Sequence, residues 1–475
     1  MSDLSWPLAR AARLFAGEVA VVDGDRSVTY GELERRVRAL GGLDAARVGY
    51  LGPNSRAHLE CWLGLPAFGK VLVDLNYRLS LDELAFMVRD AGLEALISDD
   101  PRAAELGVPL VDYEALVTGP ECAFPGVAED SLAAISYTGG TTGTPKGVML
   151  SHRNLLSNAL HNLAVTGHAR EDRWLHVCPM FHVAGTSNVF ACVWVGATSV
   201  ILPRFEPVSV LETIASRGIT HSVFVPTMLA MLLEEASGFD VSSLRHLQYA
   251  ASPISPELQR RVLEWLPDCD VVQFYGMTEA APTVTRLSHA DHTSRPSSMG
   301  RVVPGVQAEV RAARGEVGEL WVRGPNVMLG YWNRPEATEA ALVDGWYRTG
   351  DLAREDEEGY FFMVDRAKDM IITGGENVYS VEVEAVLSQH PRVDEVAVFG
   401  VPSERWGEAV HAVVVARAGV SEEELIAWCR ESLGGFKVPR SITFSDEPLP
   451  KSGAGKLLKA RLREPFWEGR ERRVG

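Results

Sequence analysis

Cysteine is scarce in this chain: six residues in 475, at 61, 122, 178, 192, 269 and 429, with no C-x-x-C pair. Scattered singly, they exclude a disulfide framework and fit a reducing compartment. Positive charge is also in deficit, with 46 Lys and Arg against 63 Asp and Glu and a formal charge of −17. Phosphate contacts to nucleic acid need clustered positive charge, so this balance excludes a general nucleic-acid binder. An anionic substrate has to be held by local positive groups.

Long apolar runs are missing too. The start "MSDLSWPLARAARLFAG" lacks a charged segment followed by an apolar core and does not read as a secretion signal. The one candidate span, Trp174 to Pro203, is interrupted by Pro179, Gly185, Asn188 and Gly196, which makes it a buried helix and strand rather than a membrane helix. The expected location is the cytoplasm. The basic stretches "ELERRVRAL" and "KLLKARLREPFWEGRERR" allow at most peripheral membrane contact and read first as solvated helix faces. There is no internal repeat or low-complexity tract, and nothing here fixes an oligomeric state.

What is present is a soluble globular balance, 46% hydrophobic and 23% charged, over a length that calls for two or more domains. Runs such as "RVGYLG", "KVLVDLN", "LAAISYT", "HSVFVP" and "DVVQFYG" read as buried strands. They alternate with helix-spaced segments such as "YGELERRVRALGGL" and "SPELQRRVLEWL". That alternation predicts α/β architecture with parallel sheets. Beyond about residue 300 the texture becomes β-rich, then a smaller α+β unit follows. A boundary in "VDRAKD" gives a large N-terminal domain, 1–367, and a small mobile C-terminal domain, 368–475.

One segment stands apart: "YTGGTTGTPKG", residues 137 to 147, after an apolar strand. Adjacent glycines and four hydroxyls crowd backbone N–H and O–H donors into one concavity, a cradle for an anion, and Pro145 fixes the backbone before Lys146. On its own such a stretch is as readily a flexible turn. It is not the common P-loop, because Pro145 stands where that pattern needs glycine, and "PLPKSGAGKLLK" fails the pattern as well.

The loop resembles the phosphate-binding signature of the acyl-adenylate-forming superfamily. Six further matches follow in that family's order: "PMFHVAG", "QFYGMTE", "GELWVRGPNVMLGYWNRPEAT", "DGWYRTGDLA", "DRAKDMIITGGENVYSVEVE" and "PKSGAGKLLK", with "VTYGELERRV" ahead of them. Within the family the chain is most similar to fatty acyl-CoA synthetases. The resemblance implies an ATP- and Mg2+-dependent enzyme that makes an acyl-adenylate and passes the acyl group to coenzyme A, with an acyl-carrier protein as the alternative acceptor. It implies that Thr138, Thr141, Thr142 and Lys146, with the backbone of Gly139 and Gly140, grip the β- and γ-phosphates. Tyr275, Gly276 and Thr278 would lie against the nucleotide, Glu279 and Thr142 would hold the metal, Asp351 would accept from the ribose hydroxyls, and Arg366 would contact the ribose and phosphate region. Lys456 would bridge the α-phosphate and the attacking carboxylate, and His182 would flank the acyl group. Lys368 would be the hinge, and Gly374 and Gly375 would admit the pantetheine arm. Two departures stand out: Gly139 replaces the usual serine, and "YAASPIS" (249 to 255) has alanines where the family has glycines.

The windows expected around the acyl group, "HVAGTSNVFACVW", "HSVFVPTMLAMLL" and "YGMTEAAPTVT", contain no Arg or Lys to pair with a second carboxylate. A desolvated unpaired charge is costly, which leaves an apolar monocarboxylic acid as the substrate: a medium- or long-chain fatty acid first, an aryl or polycyclic acid second.

Overall fold

The computed structural model describes residues 3–138, 145–252, 254–417, 419–451 and 457–468. Its contacts divide the chain into two compact units. The larger holds 1–308 and 322–347, and the smaller holds 309–321 and 348–475.

In the larger unit, one sheet is parallel through its centre. Strands Asp270–Gly276, His246–Tyr249, His221–Phe224, Arg173–His176, Thr198–Ile201 and Val19–Asp23 pair in that order. Antiparallel strands Thr283–Leu287 and Ser298–Val302 extend it on one side, and Arg26–Thr29 on the other. The second sheet runs parallel through Leu132–Thr138, Val71–Leu75, Arg47–Leu51 and Ala95–Ser98. Central strands such as Val71–Leu75 are buried on both faces because helices cover both sides of a parallel sheet, and the one carboxylate there, Asp74, meets His58 Nε2 at 2.8 Å. The helices begin where the sequence supplies caps: Thr29 and Glu32 form a capping box ahead of Tyr30–Ala39, as do Ser80 and Glu83 ahead of Leu81–Ala91. The α/β reading holds.

The span Trp174–Pro203 takes in most of strand Arg173–His176, the short helices Val183–Thr186 and Val189–Val195, and strand Thr198–Ile201. Among the described residues, no helix is long and apolar enough to cross a membrane.

The smaller unit is α+β. Strand Trp346–Glu355, which enters this unit at 348, pairs antiparallel with Phe361–Arg366 and sets Asp351 opposite Arg366. Its five-stranded sheet runs Glu376–Val378, Ile371–Thr373, Gly407–Ala416 and Val393–Ser403, with Ser441–Phe444 parallel to Gly407–Ala416. Helices Ser380–Leu387 and Glu422–Ser432 bury Val383, Leu387, Leu425 and Cys429 against Val398, Val410 and Ala412 of that sheet.

Candidate active site

Ligands of open α/β sheets bind beyond the carboxyl ends of parallel strands, and the expected site residues of the larger unit emerge there. Strand Leu132–Thr138 returns as the antiparallel strand Lys146–Ser151, with Thr138 opposite Lys146. Lys146 therefore opens the second strand of that antiparallel pair. Gly139, Gly140, Thr141 and Thr142 lie outside the described residues, as does Lys456.

Three motifs far apart in sequence meet at Lys146. Strand Gly330–Tyr331 pairs with Lys146–Ser151, setting Tyr331 opposite Val148. The Lys146 ammonium lies 5.0 Å over the Tyr331 ring, a cation–π distance. The Tyr331 hydroxyl donates to Glu279 Oε1 at 3.0 Å, and the Met328 amide donates to the Glu279 carbonyl at 2.8 Å. Burial, reinforced by the Glu279 charge, pushes the Tyr331 phenol well above its ordinary value, so it remains a donor to the carboxylate. Tyr331 thus connects the expected phosphate-binding cation to the expected metal ligand. Sequence reasoning quoted the motif that contains it, "MLGYWNRPEAT", but gave it no role; position inside a matched motif was the available signal.

Asp90 supports the same assembly from the end of helix Leu81–Ala91. It accepts from Tyr137 Oη at 2.8 Å and from Arg334 Nη2 at 2.9 Å, while its carbonyl accepts from Trp332 Nε1 at 2.9 Å. These bonds tie the end of strand Leu132–Thr138 to the segment bearing Tyr331. Nothing in "LAFMVRDAGL" marks Asp90 for this.

Glu279 sits in the turn Thr278–Ala280 immediately after strand Asp270–Gly276. With one carboxylate oxygen engaged by Tyr331, the other offers the hard oxygen that Mg2+ takes, one or two protein oxygens being usual for that ion. Tyr275 is half-buried at the end of the same strand. Gly276 has a packing reason to be glycine: a Cβ there would lie 1.8 Å from the Pro282 carbonyl oxygen.

His182 precedes helix Val183–Thr186, its ring 4.6 Å from that of Phe181, and its Nε2 has no hydrogen-bond partner among the described residues. Burial, then the nearby charge of Arg78, pulls its pKa down to about 4. Near neutral pH it is an uncharged flat wall. Arg78 itself stands 5.8 Å from the Phe181 ring, so a cation approaches the acyl-side motif from "LNYRLS", a segment outside the windows searched for one.

In the smaller unit, Asp351 is buried and Arg366 Nε lies 3.3 Å from its Oδ1. The two residues expected to contact ribose are thus held together across one strand pair. Lys368 follows, its carbonyl accepting from Arg463 Nη1 at 3.3 Å. Gly374 and Gly375, at φ 61° and 89°, form the turn between strands Ile371–Thr373 and Glu376–Val378. Positive φ at both central residues is what the type I′ two-residue hairpin turn demands. Gly374 is also close-packed: its amide donates to the Trp406 carbonyl at 2.8 Å, and a Cβ would sit 3.2 Å from the Trp406 ring.

Residues 8–332 match the family model of AMP-binding enzymes, and residues 382–456 match that of the AMP-binding enzyme C-terminal domain. A feruloyl-CoA synthase from Amycolatopsis is 41% identical over 97% of this chain and 98% of its own. A fatty acid–[acyl-carrier-protein] ligase, ScoC, from Streptomyces coeruleorubidus is 36% identical over 96% of this chain and 95% of its own. Among solved structures, o-succinylbenzoate CoA synthetase from Bacillus subtilis, in complex with its acyl-adenylate intermediate, superposes with a TM-score of 0.89. It is 32% identical, covering 97% of this chain and 98% of that one.

Proposed function

The chain belongs to the AMP-binding enzyme family as an adenylate-forming acyl-CoA ligase, and on that premise we propose that it activates an apolar monocarboxylic acid with ATP, an aryl acid ahead of a fatty acid. A carboxylate oxygen attacks the α-phosphorus, the bond to the β-phosphate breaks, and pyrophosphate leaves. The thiol of coenzyme A then attacks the acyl carbon, and the bond to AMP breaks.

The observation that carries this reading is the alignment of Lys146, Tyr331 and Glu279 at the start of strand Lys146–Ser151. An ammonium and a carboxylate held by one ring suit opposite partners, the triphosphate oxygens and a cation bound to them. A magnesium ion held by Glu279, with Thr142, would neutralise charge on the departing pyrophosphate. Asp351 binds the ribose hydroxyls and Arg366 the adjoining phosphate, and Lys456 bridges the α-phosphate and the attacking carboxylate. The segment after Lys368 turns between the two steps, bringing Gly374 and Gly375 to the thiol.

Two observations support the aryl acid. The feruloyl relative shares more identity than the fatty-acid relative. The acyl-side motif also offers ring faces, with Tyr77 edge-on to Phe181 at 5.5 Å and His182 beside it.

The test is pyrophosphate release with ATP and Mg2+ across hydroxycinnamic acids, saturated fatty acids, 2-succinylbenzoate, malonate and amino acids, with coenzyme A or an acyl-carrier protein as acceptor. Lys456→Ala is run alongside and is expected to lose adenylation yet still form thioester from supplied acyl-adenylate. Turnover with 2-succinylbenzoate above the monocarboxylic acids would reject the monocarboxylic reading and point to Arg78 as the partner of a second carboxylate. No pyrophosphate from any acid would reject the reading as a whole.

A further inference from the structure

Asp365 is 2% exposed, three residues before Lys368 on strand Phe361–Arg366. Its carboxylate reaches across Lys368 to residues on the far side. Oδ1 accepts from the Ser380 hydroxyl at 3.0 Å, and Oδ2 accepts the Ser380 backbone N–H. Ser380 opens helix Ser380–Leu387, whose N-cap residue, Tyr379, makes no side-chain capping bond. Asp365 takes that part from upstream, satisfying an amide the helix leaves unpaired and placing negative charge at its positive end.

Lys459 completes the cluster. Its ammonium donates to Ser380 Oγ at 2.7 Å and pairs with Glu384 Oε1 at 2.7 Å, and Glu384 Oε1 also accepts the Val398 amide at 2.7 Å. Arg463, one helical turn further on, donates to the Lys368 carbonyl and lies 3.4 Å from Asp369 Oδ1. Position 368 is therefore bracketed: Asp365 lies before it, and Ser380, Lys459 and Arg463 lie after it. The same closeness places 348–367 in one compact unit with the residues that follow. A rotation about Lys368 that carries 369–475 as a body has to part Asp365 from Ser380.

We propose that Asp365 is a positioning residue: with Ser380 and Lys459 it forms a latch across Lys368 that holds one of two hinge states and opens on passage between the half-reactions. The proposal rests on the hinge reading of Lys368 given above. Burial raises the Asp365 carboxyl above its ordinary value, with Lys459 opposing it, so the charge is held at a net cost. Such a contact opens more readily than a fully compensated one.

The test uses the full chain with one spin label on each unit, at Glu212→Cys and Glu431→Cys, both exposed positions. Asp365→Asn keeps shape and removes charge, and Ser380→Ala removes one hydroxyl; if the first fails to fold, the second carries the same test. The expected result is a shift of population between two label–label distances. With it, the ratio of acid-dependent ATP–pyrophosphate exchange to thioester formation from supplied acyl-adenylate changes by about tenfold, the size of losing one hydrogen bond to a charged group. Unchanged distances, with both rates unaltered or falling together, would reduce Asp365 to a helix cap and overturn the latch. If the wild-type protein performs neither half-reaction, the proposed function fails while the distance distributions alone still decide the latch.

Discussion

Tyr331 touches Lys146 with its ring and Glu279 with its hydroxyl, and the two contacts can be separated. Tyr331→Phe keeps the ring and leaves Glu279 without its donor, so ATP–pyrophosphate exchange is expected to fall about tenfold while the half-saturating Mg2+ concentration rises. An unchanged Mg2+ dependence would remove Tyr331 from the metal side of the site. Ala251 offers a second test at this scale. It adopts φ 74°, in the left-handed region, at a position where the resemblance expects glycine. That conformation costs a non-glycine residue roughly 1–2 kcal/mol. Ala251→Gly is expected to raise unfolding stability by about 1 kcal/mol in urea titration, the gain being reduced by the freedom glycine adds to the unfolded chain. Of the residues that the sequence singles out, Lys146 and Glu279 converge through Tyr331, and Asp351 and Arg366 face each other. Tyr331, Asp90 and Asp365 were not legible, because each acts through another side chain and only folding brings the pair together.

Among the elements, the apolar strands were readable because a buried parallel strand is a nearly continuous hydrophobic run. Leu132–Thr138 and His221–Phe224 fall where that rule puts them. Strand His246–Tyr249 escaped it. Its sequence, HLQY, alternates polar and apolar residues, yet all four side chains are buried. The polar ones are satisfied inside: His246 Nδ1 meets Asp270 Oδ2 at 2.9 Å, and Gln248 Oε1 accepts from Asn188 Nδ2 at 3.1 Å. Partners 24 and 60 residues away leave no local pattern. Gly276 gives the test for this sheet. Strands Asp270–Gly276 and Thr283–Leu287 approach so closely there that Gly276→Ala has to push them apart, and backbone cannot yield as a side-chain end can. The variant is expected to lose about 2 kcal/mol or more of stability in denaturant unfolding. Normal stability with reduced nucleotide binding would instead assign the glycine to the ligand.

Over the whole molecule, buried histidines set the response to acid. Burial pulls His152, His161, His168, His176 and His182 down to about 4, and His221 to about 2. The unfolded chain protonates these rings below about 6.5, where the folded chain keeps them neutral. Their contribution is therefore fully present above pH 6.5 and declines as pH falls toward 4, by at most about 1.4 kcal/mol per pH unit for each ring. Urea midpoints are expected to drop clearly between pH 7 and pH 5; a flat profile would mean that the rings gain protons without unfolding. The order in which the chain is made bears on the smaller unit. It is threaded rather than appended: the chain enters it at 309, leaves at 321 and returns at 348. On a ribosome its first segment emerges early and has to wait for the remainder, and a fragment cut at Lys368 comes away without 309–321 and 348–367. Grafting this unit into a relative takes junctions at 308/309, 321/322 and 347/348, where a hinge residue by itself suggests a single cut.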